Sequence, residues 1–168
     1  MNSMHLWPQG DLRVNGVRLH YYRSGGMLPP LVLVHGFTDN ALYWTRAADA
    51  LATTFDVVAY DARGHGTSDR ARGVFTDEQR ALDLLGVIDA LKLDSPVAIG
   101  HSMGGSTIAN AAAMRPNGFS ALVLEDPAWW EMPPGMSAEQ RAQAAAAMHE
   151  RTAGWRSWVK QLQSTPEQ

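Results

Sequence analysis

The sequence has 168 residues, of which 45% are apolar, and its 14 Lys and Arg against 17 Asp and Glu give a formal net charge of −3. This length suits one domain with a sizeable core, and the charge balance offers no concentrated basic face for a nucleic acid. The absence of cysteine excludes disulfides and thiolate catalysis. The N-terminus MNSMHLWPQG has no cationic start before an apolar run, and no apolar stretch is long enough to span a bilayer, so we expect a cytoplasmic protein with no membrane partner.

The first half of the chain predicts a hairpin and two buried strands. Asn15-Gly16 lies between two β-prone runs, and both residues tolerate positive φ, as a tight hairpin turn requires. The apolar runs at 30–36 and 55–61 each predict a strand that is buried on both faces. Between them, residues 40–53 have helical spacing, and the side chains available for the packed face are Leu42, Ala48 and Leu51.

The second half alternates helices with strands. Thr76 and Gln79 have the spacing of a capping box, which predicts the start of a helix. Apolar residues recur every three positions along this helix and predict its packed face, which consists of Leu82, Leu85, Ile88 and Leu91. Residues 96–100 and 121–125 predict two more strands, separated by a helix over 103–115. This order of elements predicts an α/β fold. After the N-terminal hairpin, we expect a mostly parallel sheet with helices on both faces.

The composition changes after Pro127, where the segment AWWEMPPGM precedes an alanine-rich run at 137–149 that predicts a helix. We therefore divide the chain into a core over residues 1–127 and the beginning of a helical cap over 128–168. Phe37, Trp129 and Trp130 are candidates for contacts with a substrate, although ordinary packing within the cap explains either tryptophan ring equally well.

The segment IGHSMGG at 99–105 contains the pattern G-x-S-x-G between a predicted strand and a predicted helix. In a nucleophile elbow the serine lies on a strained turn whose neighbours have no room for a Cβ. This context favours Ser102 as a nucleophile, with Gly100 and Gly104 as its required neighbours, over an ordinary glycine-rich turn. Acyl transfer also needs two N–H donors for the oxyanion, and the amides of Met103 and Phe37 are placed to supply them.

Three segments, HGFTDNALYW, YDARGHGTSD and GHSMGG, resemble the α/β-hydrolase fold family, in particular its esterase, lactonase and C–C-hydrolase-like members, over about residues 12–127. The resemblance implies a serine hydrolase that cleaves an ester or similar carbonyl substrate through an acyl-enzyme at Ser102. The amides of Phe37 and Met103 would form its oxyanion hole, and it would use no cofactor and no metal. Because residue 102 is serine and not aspartate, the resemblance argues against the haloalkane dehalogenases and epoxide hydrolases of the same superfamily.

The resemblance also separates structural residues from catalytic ones. It implies that Asp61 and Arg63 tie down the loop after the second buried strand, that His65 in this loop is not the catalytic base, and that Trp44 packs against the first helix.

The catalytic histidine is the part of the pattern that this sequence does not supply. In this fold the nucleophile, the acid and the base follow in chain order, yet only His149 comes after Ser102, and it lies in the predicted cap helix. Asp126 is a candidate acid, although Glu-Asp-Pro is also typical of a strand-ending turn. We therefore expect the chain to be the N-terminal portion of a hydrolase, catalytically incomplete without a histidine. We also expect it to pair with a second polypeptide that carries the missing C-terminal strands, or with its own copy.

The alternative interpretation is a non-catalytic ligand-binding or receptor protein on the same fold, because a fold alone does not determine function. Such a protein would keep the pocket and dispense with acid–base chemistry. A small molecule is the expected ligand in both interpretations.

Overall fold

The computed structural model describes residues 4–70 and 76–128, together with positions 137, 139, 140 and 143. In this part of the chain, six strands form one sheet: β1 (Gln9–Val14), β2 (Val17–Arg23), β3 (Pro30–Val34), β4 (Asp56–Tyr60), β5 (Val97–His101) and β6 (Ala121–Glu125). The α-helices are α1 (Thr45–Leu51), α2 (Asp77–Ala90) and α3 (Met103–Met114), and short 3-10 turns lie at Met4–Leu6 and Ala41–Trp44. None of the helices described is long and apolar enough to cross a membrane.

The sheet order is β1-β2-β4-β3-β5-β6, and its pairing confirms the predicted fold class. β1 and β2 form an antiparallel hairpin whose turn residues Asn15 and Gly16 have φ of 48° and 77°, as predicted. β2 pairs antiparallel with β4, whereas β3 pairs parallel with β4 and β5, and β5 with β6. The carboxyl ends of four parallel strands therefore meet at one edge.

Helices cover both faces of the sheet because alternate side chains of β3 and β4 point to opposite sides. Leu31 and Leu33 pack with Trp44 and Ala48 on the side of α1. The opposite side chains pack with α2 and α3, in a core that includes Val32, Val34, Val58, Tyr60, Leu84, Ile88 and Ile108. Trp44 is buried, in agreement with the packing role that the family resemblance implies.

Two predicted apolar faces are wrong in detail. Leu82 is 43% exposed, and the buried face of α2 is formed by Ala81, Leu84, Leu85, Val87 and Ile88. A stripe with a strict spacing of three drifts off a helix that has 3.6 residues per turn, so its first member leaves the core. Leu42 is also exposed. The segment predicted as one helix begins with a 3-10 turn, which directs Ala41 and Trp44 inward.

β6 forms as predicted and lies at the edge of the described sheet, where it is largely exposed. Leu122 and Val123 are 41% and 48% exposed, respectively. The apolar residues of β6 predict a buried strand, so the sequence of the strand does not explain why it is exposed.

The chain divides into two units, Met1–Trp129 and Trp130–Gln168. In the second unit, Ser137 and Gln140 exchange backbone-to-side-chain hydrogen bonds at 2.8 and 3.2 Å, the reciprocal pair that also begins α2 at Thr76 and Gln79. Residues 139, 140 and 143 are helical, as predicted. The assignment of this unit as a cap stays a prediction, and Trp129, Trp130 and His149 lie outside the described residues.

One buried carboxylate joins three parts of the core unit. Asp83 of α2 accepts hydrogen bonds from Arg63 Nε and Nη2 at 2.5 and 2.6 Å, and from Asn15 Nδ2 at 3.0 Å. The side chains of Asp83 and Arg63 are almost inaccessible to solvent, so neither charge is screened by water. The hairpin turn, the loop after β4 and α2 are thus held by a single side chain.

We predict that Asp83→Asn lowers the free energy of unfolding by about 3 kcal/mol, because it leaves the Arg63 guanidinium buried without a counter-charge. Asp89→Asn is the matched control, since Asp89 is also on α2 and also paired with an arginine, Arg115, but is exposed. It should cost no more than about 1 kcal/mol. Urea-induced unfolding followed by circular dichroism measures both, and equal losses would contradict the role assigned to Asp83.

Candidate active site

Ser102 occupies a strained turn between β5 and α3. Its backbone has φ of 49° and ψ of −112°, a conformation that costs a non-glycine residue about 1–3 kcal/mol. Backbone hydrogen bonds hold it on both sides: its N–H donates to the Glu125 carbonyl at 2.9 Å, and its own carbonyl accepts from the Ala128 N–H at 3.1 Å. The end of β6 therefore braces the turn, and Ser102 lies at the carboxyl edge where the elbow was predicted.

The glycines around Ser102 are required by close backbone contacts. A Cβ on Gly104 would lie 2.1 Å from the Val34 carbonyl oxygen, and one on Gly100 would lie 2.5 Å from the carbonyl carbon of Gly104. A Cβ on Gly105 would lie 2.9 Å from Cβ of Pro127. The start of α3 thus packs against the ends of β3 and β5 at a distance that only glycine allows, in agreement with the sequence-based expectation.

The Ser102 hydroxyl is half-buried and makes no hydrogen bond to its own helix. It stands at the N-terminus of α3, where the helix dipole is positive. In the described part of the chain, the N–H groups of Met103 and Phe37 donate to no protein acceptor. The arrangement can therefore place a hydroxyl beside backbone donors that are free to bind developing negative charge.

The loop after β3 fixes the direction of the Phe37 amide. The carbonyl of Gly36 accepts hydrogen bonds from His35 Nδ1 at 2.7 Å and from the Asp39 N–H at 3.2 Å. Because the peptide group is planar and trans, the Phe37 N–H of the same peptide points away from that carbonyl. This leaves the N–H directed out of the loop, which is the orientation that an oxyanion donor needs.

His35 is completely buried, and its partners determine which nitrogen carries the proton. Nε2 accepts from the Ala62 N–H at 3.0 Å, so Nδ1 is the protonated nitrogen that donates to Gly36. Burial lowers the pKa of His35 from 6.5 to about 4. A neutral imidazole therefore connects the loop after β3 to the loop after β4 at neutral pH.

Two further imidazoles border the same loop. His65 Nε2 lies 2.7 Å from the Phe37 carbonyl oxygen, and its ring meets the Phe37 ring edge-on at 5.7 Å. His101, the residue before Ser102, stacks on Tyr43 at 5.4 Å, and its Nδ1 lies 3.7 Å from Asp39 Oδ2. Sequence reasoning assigned no role to His101 or Tyr43, although the position of His101 next to the nucleophile is a signal that it borders the site.

Asp61 ties the loops after β3 and β4 together, as the family resemblance implied. Its Oδ1 accepts from the Ala41 N–H and its Oδ2 from the Thr67 N–H, both at 2.8 Å. Arg63, the other residue of this expectation, ties the loop after β4 to α2 through Asp83. In residues 4–70 and 76–128, no three carboxylate or imidazole side chains are grouped so that they could hold a metal ion.

The structure brings some of the predicted site residues together and leaves others apart. Ser102, Met103 and Phe37 lie at the same edge of the sheet. Asp126 follows β6 at that edge with a φ of 43°, and its exposed carboxylate has no hydrogen-bond partner among the described residues. None of the described histidines forms a hydrogen bond with the Ser102 hydroxyl.

Comparisons with known proteins identify the family to which this fold belongs. A family model described as alpha/beta hydrolase fold matches residues 29–167. An epoxide hydrolase of Caballeronia sordidicola is 36% identical over 115 residues, which are 67% of this chain and 35% of that protein. The N-formylmaleamate deformylase of Pseudomonas putida is 39% identical over 119 residues, which are 70% of this chain and 44% of that protein.

Among solved structures, the enol-lactonase from Burkholderia xenovorans LB400 superimposes with a TM-score of 0.66 at 36% identity, over 68% of this chain and 45% of that one. The chain spans less than half the length of each of these three relatives.

The pKa of His35 makes stability depend on pH in a predictable direction. The unfolded chain binds a proton at this residue near its ordinary pKa of 6.5, whereas the folded protein binds it only near pH 4. The contribution of His35 is therefore complete above pH 6.5 and is lost as the pH falls from 6.5 to 4. At pH 5 the loss amounts to about 2 kcal/mol.

We predict that His35→Gln reduces the difference in unfolding free energy between pH 7.5 and pH 5 by about 2 kcal/mol, because the amide keeps one donor and one acceptor but does not titrate. His5→Gln is the control, since His5 is exposed and should leave the wild-type difference unchanged. Urea unfolding at both pH values measures this, and an unchanged difference in His35→Gln would contradict the assignment.

Proposed function

The chain belongs to the α/β-hydrolase fold family, and from this membership we propose that it supplies the nucleophile and oxyanion hole of a serine hydrolase that acts on an ester or similar carbonyl substrate. The observation that carries the proposal is the strained Ser102 at the N-terminus of α3, in a chain whose Met103 and Phe37 amides are free to donate. A strained turn of this kind persists only where the surrounding structure enforces it.

In the proposed reaction, Ser102 Oγ attacks the carbonyl carbon of the substrate and its proton passes to a base. The carbonyl oxygen becomes an oxyanion that accepts hydrogen bonds from the Phe37 and Met103 amides, each worth about 100- to 1,000-fold in rate. Collapse of this intermediate breaks the bond to the leaving group, which takes up the proton, and leaves an acyl-enzyme. Water then hydrolyses the acyl-enzyme and restores the hydroxyl.

We propose that the base comes from outside the described residues. His35 and His65 bond to backbone groups and His101 faces Asp39, so none of the three is directed to the Ser102 hydroxyl by a hydrogen bond. Asp126, at the same sheet edge, is the candidate to orient the base. Trp129 and Trp130 remain candidates for substrate contacts.

Carbonyl chemistry suits Ser102 better than epoxide opening, although an epoxide hydrolase is among the relatives. A serine that opened an epoxide would form an ether, which has no electrophilic carbonyl for water to attack, whereas an acyl-enzyme has one. The names of two other relatives, an N-formylmaleamate deformylase and an enol-lactonase, describe substrates that contain a carbonyl group. The exposed rings of Phe37 and Tyr43 favour a substrate with an apolar part.

The second candidate function is ligand binding without turnover. It is favoured by the absence, among the described residues, of a base bonded to Ser102. The two candidates differ in whether the hydroxyl is activated, and a reactive probe distinguishes them.

We predict that, in the assembly that includes the proposed base, a fluorophosphonate probe labels the wild-type chain and Ser120→Ala but not Ser102→Ala, because only an activated hydroxyl reacts with it. Ser120 is an exposed serine and serves as the control. Mass spectrometry of the intact protein measures the adduct. A wild-type assembly that includes the proposed base and still stays unlabelled under a large excess of probe would reject the hydrolase assignment and favour ligand binding.

We also propose that β6 is a site of association, with a second polypeptide that carries further strands or with a copy of this chain. Its outer edge pairs with no strand among the described residues. Unpaired backbone N–H and C=O groups at such an edge, together with the exposed Leu122 and Val123, favour pairing with another chain.

We predict that light scattering finds the wild-type chain in particles heavier than its 18.3 kDa, and that Val123→Lys shifts them towards the monomer because a charge on the edge strand opposes pairing. Leu82→Lys is the matched control, because Leu82 is equally exposed but lies on α2. A wild-type monomer that melts cooperatively with nothing bound would contradict the proposal.

A further inference from the structure

His65 faces backbone carbonyls with both ring nitrogens. Nδ1 lies 3.0 Å from the Arg63 carbonyl oxygen, and Nε2 lies 2.7 Å from the Phe37 carbonyl oxygen. A carbonyl oxygen can only accept a hydrogen bond, and a neutral imidazole has a single N–H to donate. Both hydrogen bonds therefore exist together only in the imidazolium form, and the neutral ring keeps just one of them.

The bond to Phe37 bears on the proposed oxyanion hole because two peptide groups flank the Cα of this residue. His35 holds the first, between Gly36 and Phe37, through the Gly36 carbonyl. His65 holds the second, between Phe37 and Thr38, through the Phe37 carbonyl. Peptide groups are planar, so fixing both of them sets the two backbone dihedral angles of Phe37 and the direction of its N–H.

From these contacts we infer that His65 is a positioning residue of the oxyanion hole, whose imidazolium joins the loop after β4 to the Phe37 carbonyl. A ring that lacks the proton on Nε2 no longer donates to the Phe37 carbonyl, which loosens the second peptide that flanks Phe37. The inference rests on the role proposed above for the Phe37 amide. It assigns His65 no contact with the substrate and no proton transfer to it.

The neighbouring titratable and charged groups have other partners. His35 lies 5.1 Å from the His65 ring, between ring centres, and its pKa of about 4 keeps it neutral near pH 7. Asp61 accepts from the Ala41 and Thr67 amides, and the Arg63 guanidinium binds Asp83. Asp39 faces His101. Of these groups, His65 is the one that donates directly to Phe37.

The test begins with nuclear magnetic resonance, which does not depend on activity. In the 168-residue chain, the ¹⁵N shift of the Thr38 amide reports on the Phe37 carbonyl because both belong to one peptide. In wild type we expect it to move together with the resonances of the His65 ring as the pH is changed. In His65→Phe this movement should vanish, and in His65→Gln, which keeps a donor that does not titrate, the shift should stay constant.

The second readout is the rate of fluorophosphonate labelling at Ser102, compared with wild type at each pH. We expect His65→Phe to react about 3- to 10-fold more slowly at acidic pH, a part of the loss caused by removing an oxyanion donor. The difference in labelling rate between wild type and His65→Phe should become smaller as the pH rises. His65→Gln should react at most of the wild-type rate. His5→Phe is the matched control and should react like wild type. Circular dichroism checks that each variant folds. If His65→Phe does not fold, only His65→Gln is compared with wild type.

A Thr38 ¹⁵N shift that does not move with the His65 ring resonances would overturn the inference, whatever the labelling shows. So would equal labelling of wild type and His65→Phe at every pH. If the wild-type chain is not labelled even in the assembly that includes the proposed base, the proposed function fails, and the Thr38 shift still decides whether His65 positions the loop.

Discussion

The contact between the backbone of α3 and the end of β3 is the constraint on which the candidate site depends. Gly104 lies so close to the Val34 carbonyl that a Cβ would stand 2.1 Å from its oxygen. Because the helix starts this close to the sheet, the chain must turn sharply at Ser102, and Met103 comes to the edge where the loop after β3 begins. A methyl group at residue 104 would push the helix away and move both proposed oxyanion donors relative to the hydroxyl.

Strain at Ser102 is offset by contacts that come from several parts of the chain. The end of β6 contributes through the Glu125 carbonyl, and the segment after it through the Ala128 N–H. The loop after β3 is held by hydrogen bonds of His35 and His65, and His101 borders it. Two of these imidazoles have different surroundings. Burial keeps His35 neutral, whereas His65 lies between two backbone carbonyl oxygens. The site is thus organised by residues that make no contact with the proposed reaction.

Local patterns explain why so much of the fold could be predicted. The Asn15-Gly16 turn, the capping box at Thr76 and the elbow at Ser102 each depend on residues that are neighbours in the chain. The predicted apolar helix faces are wrong at two residues. At Leu82 the predicted spacing of three residues differs from the 3.6 residues per turn of an α-helix. At Leu42 a 3-10 turn replaces an α-helical one. The exposure of β6 depends on what lies beside the strand, which its own five residues do not encode.

The hydrogen bonds that organise the site were beyond sequence reasoning for a different reason. The bonds from the Ala62 N–H to His35 and from His65 to the Phe37 carbonyl join residues 27 and 28 positions apart. Asp83 similarly connects Asn15 and Arg63, and in the sequence it is one more polar residue in a helix. Such contacts become visible only when the packing of the loops is known, because no periodicity or spacing marks the partners.

The strand order has a consequence for how the protein forms during synthesis. β3 lies in the middle of the sheet, yet the two strands that flank it are made later, and β5 is made long after β4. As the chain leaves the ribosome, β3 can pair with β4 on one side while its other side waits for residues 97–101. An apolar strand edge is therefore open for much of translation, which makes this interval the stage at which a nascent chain is most exposed to aggregation and most in need of a chaperone.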